Sequence, residues 1–575
     1  MELGSDSSDG GREVELGSDD SSQPRRPSRQ AKFCRSGIVV GSGSVELGRD
    51  SSSEMEEMET RSEHIECSRG SEVASGSESD LAGATRSNGA TQKKRTRDSS
   101  DVCLGSDASS DPHTVSKKGR RQPCSKPESM GECFAWAVQA LVVLQDLFGE
   151  MVFQRIGIRI WRFTTHFSGL GTVDVALDML KAAFKVAARA PLEAEVVSSC
   201  EASKTLQEVL VERSDGCVFG NIFERIEGGA EAANAASNES YKCYVANALV
   251  AEGAECAKHG RAGCKAHKRA TCDISGSSCR PWSRANRKKR GMKHEDTKQF
   301  WAWVRIIRQD LPSIVIHENV VCFPDSFLTE GLGDFYDVIP LSVQPADAGF
   351  GFMRRSRRYH VLALRGVVAL STLPGLYTRL TDQLAKDVSA WPRWVWRATE
   401  EELECELAFA SARSCEQLSS RGGTAERGLW WPRLTPDQQI YIEGYAKSWQ
   451  RKHGSPPEES AACVFDLSDT PQYKTGSNAV TLPTLRQRKG RWWSPMHRRW
   501  MLPREKAACM GFPVYDDLAV ASRTNIDKLT VEHAGIIGNA MHVSNGGVVM
   551  LAAMFAAEWR VEPTTECHRG SSSHS

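Results

Sequence analysis

A strand, a glycine-containing turn and a helix follow one another in the segment that most limits how this chain can fold. Ile156–Phe163 alternates in polarity as a strand does, and the next segment, Thr165–Asp174, contains Gly169 and Gly171. Val175–Val186 then has the apolar spacing of a helix. Together they predict the opening unit of a doubly wound α/β sheet, in which glycines let the backbone approach a ligand and the helix start offers unpaired N–H groups.

Two further segments predict neighbouring strands, and each ends in a polar residue. Glu195–Glu201 is an apolar run that finishes in an acid, and Gly216–Ile222 finishes in Asn221 and Ile222. An acid at the end of the second strand can accept hydrogen bonds from two ribose hydroxyls. These strand ends therefore favour a nucleoside-containing ligand at the same edge of the sheet as the glycine turn.

A cysteine and a glutamate supply reactive groups further along the chain. Cys279 lies in the turn Gly276–Ser283 after a short strand-like run, and Glu318 and Asn319 end the apolar strand Ile314–Val320. A thiol and a carboxylate are the groups needed to attack an electron-poor ring and protonate it. The alternatives are a buried structural thiol and a solvent-exposed glutamate. We favour the nucleophile, because a glycine-flanked cysteine beside a cationic stretch is poorly explained as core filler.

In this order, the segments resemble the DNA cytosine-5 methyltransferases from about residue 160 to about residue 555. The resemblance implies a Rossmann-like α/β methyltransferase domain with a smaller target-recognition domain. It implies S-adenosylmethionine as the cofactor and double-stranded DNA as the partner. In that family the first three motifs and the tenth form the cofactor pocket, and here they match Phe167, Ser168, Gly169, Gly171, Glu201, Asn221, Ile222 and Asn539.

The resemblance also implies roles for the catalytic residues. Cys279 would attack C6 of a cytosine that has left the duplex, Glu318 would contact its N3 and amino group, and methyl transfer to C5 would follow. Asn319 would hold the catalytic loop. Arg355 and Arg357 match the two arginines of a Gln-x-Arg-x-Arg motif, of which the second supports the base and the thiolate.

Five positions depart from the family pattern, one of which is Met353 in place of the glutamine of the Gln-x-Arg-x-Arg motif. Ser278 replaces a proline and Arg280 a glutamine in the catalytic turn, Asn221 replaces an aspartate that contacts adenine, and His542 replaces a proline. Loss of proline loosens the turn because proline fixes φ, whereas an amide oxygen can still accept a hydrogen bond. A catalytically inactive DNA-binding relative therefore stays an alternative. A transfer-RNA cytosine-5 methyltransferase is the other, although its Cys-Phe-Thr signature is absent here.

The 575 residues are too many for one ordinary domain. A variable region rich in tryptophan includes the basic stretch Arg486–Trp493, and mixed cations and aromatic rings suit phosphate contacts and base stacking or, alternatively, a small tryptophan core. Leu502–Pro513 resembles the ninth family motif. We predict a disordered tail (1–128), the first part of the catalytic domain (129–369), a target-recognition region (370–500), a C-terminal part that completes the catalytic domain (501–560) and a second disordered tail (561–575).

Composition limits where the protein acts. The N-terminal tail is rich in Ser, Gly and charged residues, which cannot bury enough apolar surface to offset their ordering entropy. Its basic clusters Lys93–Arg97 and Lys117–Arg121 predict nuclear import beside a DNA-modifying domain. Formal net charge is +0, so a nucleic-acid surface must come from local clustering. We expect no membrane span, and we interpret the 18 cysteines as reduced thiols.

One group of potential metal ligands precedes the catalytic turn. Cys256, His259, Cys264 and His267 have residue types that suit zinc, but their loops are tight and their order is unusual. The alternative is an irregular insertion with incidental Cys and His, and we predict no metal site on this pattern.

Overall fold

The computed structural model describes ten segments of the chain: 129–188, 191–283, 291–386, 391–414, 428–468, 471, 477–478, 481–485, 491–518 and 534–560. Both predicted tails lie outside these residues, as do residues 284–290, which belong to the cationic stretch after the catalytic turn, and residues 486–490 of the basic stretch.

Strands are short and spread over the whole of the described part of the chain. They are β1 Trp161–His166, β2 Ala194–Cys200, β3 Cys217–Phe219, β4 Gly253–Cys256, β5 Gly260–Lys265, β6 Cys272–Ser275, β7 Ile314–Val320, β8 Tyr336–Val343, β9 Arg357–Leu364, β10 Val368–Ala369, β11 Val464–Asp466, β12 Ser477–Asn478, β13 Trp492–Ser494, β14 Arg499–Trp500 and β15 Glu558–Trp559.

Helices connect most of these strands. They are α1 Met130–Phe134, α2 Trp136–Phe148, α3 Glu150–Ile158, α4 Thr172–Ala183, α5 Lys204–Arg213, α6 Gly229–Ala235, α7 Asn238–Asn247, α8 Thr297–Asp310, α9 Ser326–Leu332, α10 Leu373–Leu384, α11 Pro392–Val395, α12 Glu400–Ser414, α13 Pro436–His453, α14 Pro503–Cys509, α15 Ala534–Ile537 and α16 Val543–Ala556. No described helix is both long enough and apolar enough to cross a membrane.

Nine strands form one central sheet in the order β5-β4-β3-β2-β1-β6-β7-β9-β8. The five central strands β3, β2, β1, β6 and β7 pair in parallel, whereas β9 runs antiparallel to both β7 and β8. The order reverses on either side of β1, which is the rule for a doubly wound sheet. The predicted α/β fold class is confirmed.

This reversal places the carboxyl ends of β1 and β6 next to each other. In doubly wound sheets a ligand binds in the crevice outside this edge, because the connections leave the two central strands in opposite directions. Phe167 follows β1 directly and Gly276 follows β6 directly. The glycine turn and the catalytic turn therefore meet at one edge because of the sheet topology.

The C-terminal helix completes the layer that covers one face of the sheet. Every residue of α16 is buried, as expected for a helix that is apolar all round, and it packs against α4 and α10. Gly547 allows the closest approach, since a Cβ there would lie 2.0 Å from Cη2 of Trp136. Thr172, at the start of α4, donates a hydrogen bond to the carbonyl of Met541 at 3.4 Å.

A second, four-stranded antiparallel sheet has the order β12-β11-β13-β14 and lies in the region predicted to recognise the target. Its tryptophans are mainly core. Trp430, Trp493 and Trp500 pack with α13 in one apolar cluster, and Trp391, Trp394 and Trp492 belong to the main core. These six rings are at most 8% exposed, so for them the structure supports the alternative of a tryptophan core and not a base-stacking surface. The predicted domain boundaries stay predictions.

The first predicted strand differs from the structure in its bounds. Residues 150–158 form α3, and the strand begins only at Trp161 and continues to His166. Over 156–160, Ile alternates with Gly157 and Arg159, and this pattern suits the end of α3 as well as a strand. Ile156 is buried and Ile160 is exposed, so the isoleucines do not form one continuous apolar face. A short alternation cannot distinguish the two periodicities.

Candidate active site

The catalytic turn begins where β6 ends, and Cys279 lies in it half-buried. The amides of Trp282 and Ser283 both donate to the Cys279 carbonyl, at 3.1 and 2.8 Å, which closes the turn behind the thiol. Trp282 packs against Phe323 and Phe327, with ring centroids 5.6 and 4.8 Å away. The backbone around Cys279 is therefore fixed by its own hydrogen bonds and by an aromatic anchor.

Asn319 joins this turn to the neighbouring strand β7. Its side-chain amide donates to both the carbonyl and the hydroxyl of Ser277, each at 3.1 Å, and its own oxygen accepts from the amide of Val320. The Ser277 hydroxyl also lies 2.8 Å from Nε2 of the buried His317. All three side chains are at most 5% exposed, so they form a preorganised support for the residues that follow.

Glu318 lies beside the same turn with its carboxylate directed at it. Oε2 is 3.3 Å from the position that a Cβ on Gly276 would occupy, which explains why a glycine stands there. Oε1 lies 2.9 Å from Nε of Arg357, and within the described residues this oxygen accepts no hydrogen bond. The contact is therefore ionic, and the buried carboxylate keeps capacity to bind a donor from a ligand.

Charge around Cys279 acts in both directions. Burial is the main reason that the pKa of its thiol is raised, and the negative charge of Glu318 raises this pKa further. The positive charges of Arg357 and, less strongly, Arg355 lower it. The thiol is therefore protonated in the resting protein at neutral pH, and the two arginines are the groups that stabilise a thiolate. Cys279, Glu318 and Arg357 thus form one electrostatic unit.

Arg355 has a different set of contacts from Arg357. Its guanidinium donates to the carbonyls of Gly538 and Ala540 at 3.0 and 2.6 Å, and burial lowers its pKa to about 9. It therefore fixes the turn between α15 and α16, which includes the exposed Asn539. The Met541 side chain lies next to Gly276, so this turn reaches the catalytic residues.

The predicted cofactor turn has an unusual backbone. Phe167, Gly169 and Gly171 have φ of 58°, 56° and 71°, which lie in the left-handed region of backbone conformation. Residues other than glycine, such as Phe167, are rare in this region. The turn is stabilised by the amides of Ser168 and Gly171, which donate to the carbonyls of Cys200 and Ser168. A Cβ on Gly169 would meet nothing closer than 4.0 Å, so space is open beside this backbone.

Glu201 links the turn to the end of β2. Its two carboxylate oxygens accept hydrogen bonds from the amides of Gly169 and Ser203, both at 2.9 Å. A carboxylate has about four acceptor positions, so about two are left for ribose hydroxyls. Phe167, Ser168, Gly169, Gly171 and Glu201 therefore lie together and fit a nucleoside cofactor.

Asn221 and Ile222 continue the same edge at the end of β3. The Asn221 side-chain oxygen accepts from the amide of Phe223 at 3.2 Å and caps a 3₁₀ turn, whereas Ile222 is buried in the core. A carboxamide oxygen has a second lone pair, so this cap is compatible with a further contact to an adenine amino group.

Two of the departures from the family pattern share one partner, which the sequence did not reveal. The Ser278 hydroxyl donates to Oδ2 of Asp296 at 2.6 Å, and Nη1 of Arg280 lies 3.5 Å from the same oxygen. Asp296 directly precedes α8, and its side chain is 15% exposed. Where the family has proline, this chain holds the catalytic turn with a carboxylate.

Among the potential metal ligands, the structure separates His267 from the rest. Nδ1 of His267 lies 2.5 Å from Oδ1 of Asp310, and the position beside Cys256, His259 and Cys264 is taken by Cys217. Cys217 was missed because it belongs to β3, far from the others in sequence, and no local spacing connects it with them.

The topology and this site together define a Rossmann-like α/β protein with a cysteine and a glutamate at the same sheet edge as a turn that fits a nucleoside. Residues 220–326 match the model of the C-5 cytosine-specific DNA methylase family. This match includes Asn221, Cys279 and Glu318 and confirms the resemblance drawn from the motifs. The family consists of methyltransferases that modify cytosine.

Solved structures that match the chain include two methyltransferases. The S. pombe Dnmt2 methyltransferase is 13% identical, with 68% of this chain and 97% of that chain covered and a TM-score of 0.31. The Entamoeba histolytica methyltransferase EhMeth is 12% identical, with 69% and 98% covered and a TM-score of 0.34. None of the curated proteins matches the chain.

Proposed function

We propose that this protein transfers a methyl group from S-adenosylmethionine to C5 of cytosine in double-stranded DNA. The observation that carries the proposal is the convergence of Cys279, Glu318 and Arg357 beside Gly276, at the edge where the nucleoside-binding turn lies. A nucleophile, an acid and a cation close to one another are what addition to an electron-poor ring requires.

The cofactor would be held by the turn after β1 and by the ends of β2 and β3. Backbone N–H groups at the start of α4, the free acceptor positions of Glu201 and the Asn221 amide are suited to the polar parts of S-adenosylmethionine. When bound, the cofactor supplies an electrophilic methyl group. The Met541 segment, held by Arg355, lies between this turn and Gly276.

Cys279 and Glu318 perform the remaining chemistry. Cys279 gives its proton to a base such as water and its sulfur forms a bond to C6, while the C5–C6 double bond shifts its electrons toward the ring nitrogen N3. Glu318 in its protonated form stabilises this charge by donating a hydrogen bond, and then its proton, to N3, and Arg357 stabilises the carboxylate that is left. After C5 gains the methyl group, loss of the C5 proton to a base expels the thiolate and restores the double bond. The product is 5-methylcytosine.

DNA is the proposed substrate because the matched family is specific for DNA cytosine. C5 and C6 are shielded in a duplex, so the target base must leave the stack to reach Cys279. The basic clusters Lys93–Arg97 and Lys117–Arg121 support action in the nucleus. Neutralising both clusters in the full chain fused to a fluorescent protein is expected to abolish nuclear accumulation; unchanged accumulation would overturn the assignment.

The test is transfer of labelled methyl groups to duplex DNA and, separately, to transfer RNA. Cys279→Ala is compared with Cys322→Ala, a matched control in which an exposed thiol after β7 is removed. We expect label on DNA from wild type and the control and none from Cys279→Ala. Label on RNA alone would move the substrate. A folded wild type that binds the cofactor and labels neither would favour an inactive DNA-binding relative.

A further inference from the structure

Four side chains with metal-binding atoms converge at one edge of the central sheet, away from Cys279. Cys217 begins β3, Cys256 ends β4, His259 lies in the tight turn that follows and Cys264 lies on β5. Their three Sγ atoms and the His259 ring nitrogen all lie within 4.8 Å of one another. Cys217 and Cys256 are buried, whereas His259 is exposed.

The distances within this cluster are those of ligands around one ion. Nδ1 of His259 lies 3.7, 3.3 and 3.4 Å from the sulfurs of Cys217, Cys256 and Cys264. Tetrahedral zinc with Zn–S near ~2.3 Å and Zn–N near ~2.0 Å would separate sulfur and nitrogen by about 3.6 Å. A ring nitrogen has a single lone pair or a single proton, so hydrogen bonding alone accounts for one of the three sulfurs.

We propose that Cys217, Cys256, His259 and Cys264 bind a structural zinc ion. Three thiolates and one imidazole form a closed tetrahedral set, which leaves no position for water, and such sets favour zinc over oxygen-seeking cations. Binding releases the three thiol protons and changes no oxidation state. The site is separate from the proposed methyl transfer, because none of its ligands contacts Cys279 or Glu318 within the described residues.

The structure also shows what the ion would stabilise. The hairpin β4–β5 joins the sheet through a single residue pair, Phe219 with Cys256, and one further hydrogen bond, from Ala257 to Val218. A two-stranded hairpin is marginal by itself, so a metal that links both of its strands to β3 would fasten this edge. β3 leads within two residues to Asn221, so the metal would also position the predicted adenine contact.

The test measures zinc per chain in full-length protein purified with reductant, dialysed against a mild chelator and then offered zinc. Wild type is compared with Cys217→Ser and Cys264→Ser. Two matched controls are Cys243→Ser, an exposed thiol on α7, and His267→Ala, a histidine two residues after β5 that contacts Asp310. We expect about one zinc per chain in wild type and both controls, and a loss of roughly tenfold or more in the two site variants.

A second measurement covers the case in which the serine variants do not fold. Cobalt is substituted into wild type, where the proposal predicts a tetrahedral absorption spectrum with thiolate-to-metal charge transfer; mercurial modification of the thiols should then release the ion. A wild type that takes up no zinc, zinc that persists in Cys264→Ser, iron in place of zinc, or a disulfide between Cys256 and Cys264 would each overturn the proposal.

Discussion

Asp296 offers the sharpest test of how this chain compensates for its altered catalytic turn. The Ser278 hydroxyl donates to the Asp296 carboxylate at 2.6 Å, and a hydrogen bond to a charged group is worth about 1.5–3 kcal/mol. Arg280 is 57% exposed at its side chain, so its contact with the same oxygen is worth at most about 1 kcal/mol. The other carboxylate oxygen of Asp296 lies 3.5 Å from Nδ1 of His294, which is outside the catalytic turn, so most of the effect of Asp296 on Cys279 should pass through Ser278.

If this hydrogen bond serves to hold Cys279 in its reactive position, Asp296→Ala lowers kcat by about 10- to 150-fold, since each 1.4 kcal/mol is tenfold in rate. KM for DNA and for S-adenosylmethionine should change little. Arg280→Ala removes the exposed ion pair with Asp296, and we expect less than about a fivefold loss. Steady-state methyl transfer measures both variants, with thermal unfolding as a check that the fold is retained.

Proline at position 278 provides the rescue. Because proline fixes φ, Ser278→Pro in the Asp296→Ala background should restore order to the turn by up to about 1 kcal/mol, or about fivefold in kcat. An Asp296→Ala enzyme with wild-type kcat would refute the reasoning. So would an Arg280→Ala enzyme as impaired as Asp296→Ala, since the exposed ion pair would then carry the effect.

Three further predictions concern stability. The buried guanidinium of Arg499 donates two hydrogen bonds to the Glu505 carboxylate, at 2.8 and 2.7 Å. Glu505→Ala removes this partner and should lower the free energy of unfolding, measured in urea, by about 3–5 kcal/mol. A decrease below about 1 kcal/mol would contradict this prediction. Burial and, to a lesser extent, the charge of Arg355 lower the pKa of His542 to about 3, so the protein loses stability as pH falls below about 6.5. His542→Gln should remove about 2 kcal/mol of that loss at about pH 5. A variant whose stability depends on pH as wild type does would count against this prediction. Burial raises the pKa of Asp174 to about 6, so the folded state loses stability as pH rises through that value. Asp174→Asn should therefore stabilise the protein by up to about 3 kcal/mol at about pH 8 and leave its stability unchanged near about pH 3. Calorimetry at several pH values measures the difference.

The parts of the site that follow strand ends were predictable from sequence. An apolar run that stops at Glu201 or Glu318 places that side chain at a known edge of a parallel sheet, because topology rather than detailed packing decides where it lies. The sequence alone therefore predicted that Cys279 and Glu318 belong to one site, without any information on contacts between them. The same reasoning cannot tell which arginine faces the thiol. The family resemblance pointed to the second arginine, Arg357, and the structure pairs that residue with Glu318 at 2.9 Å.

Contacts between residues far apart in sequence were not predictable. Asp296 as the partner of Ser278, and Cys217 in the metal cluster, depend on how loops return to the sheet, and a single sequence has no periodicity that reports such returns. The role of the tryptophans stayed open in the sequence for another reason. Rings beside arginines suit both a stacking surface and a core, and burial of Trp492 and Trp500 decides for the core. Burial depends on the neighbours that folding supplies.

The hydrogen bond from Thr172 to Met541 joins residues that are 369 positions apart in sequence, so its two ends are synthesised at different times. A ribosome adds about 5–20 residues per second, so about 20–70 s pass between synthesis of the start of α4 and synthesis of the segment that packs on it. During that interval the apolar face of α4 has no α16 to cover it. The nascent protein should therefore engage chaperones at this face, and a chain released early should expose it permanently.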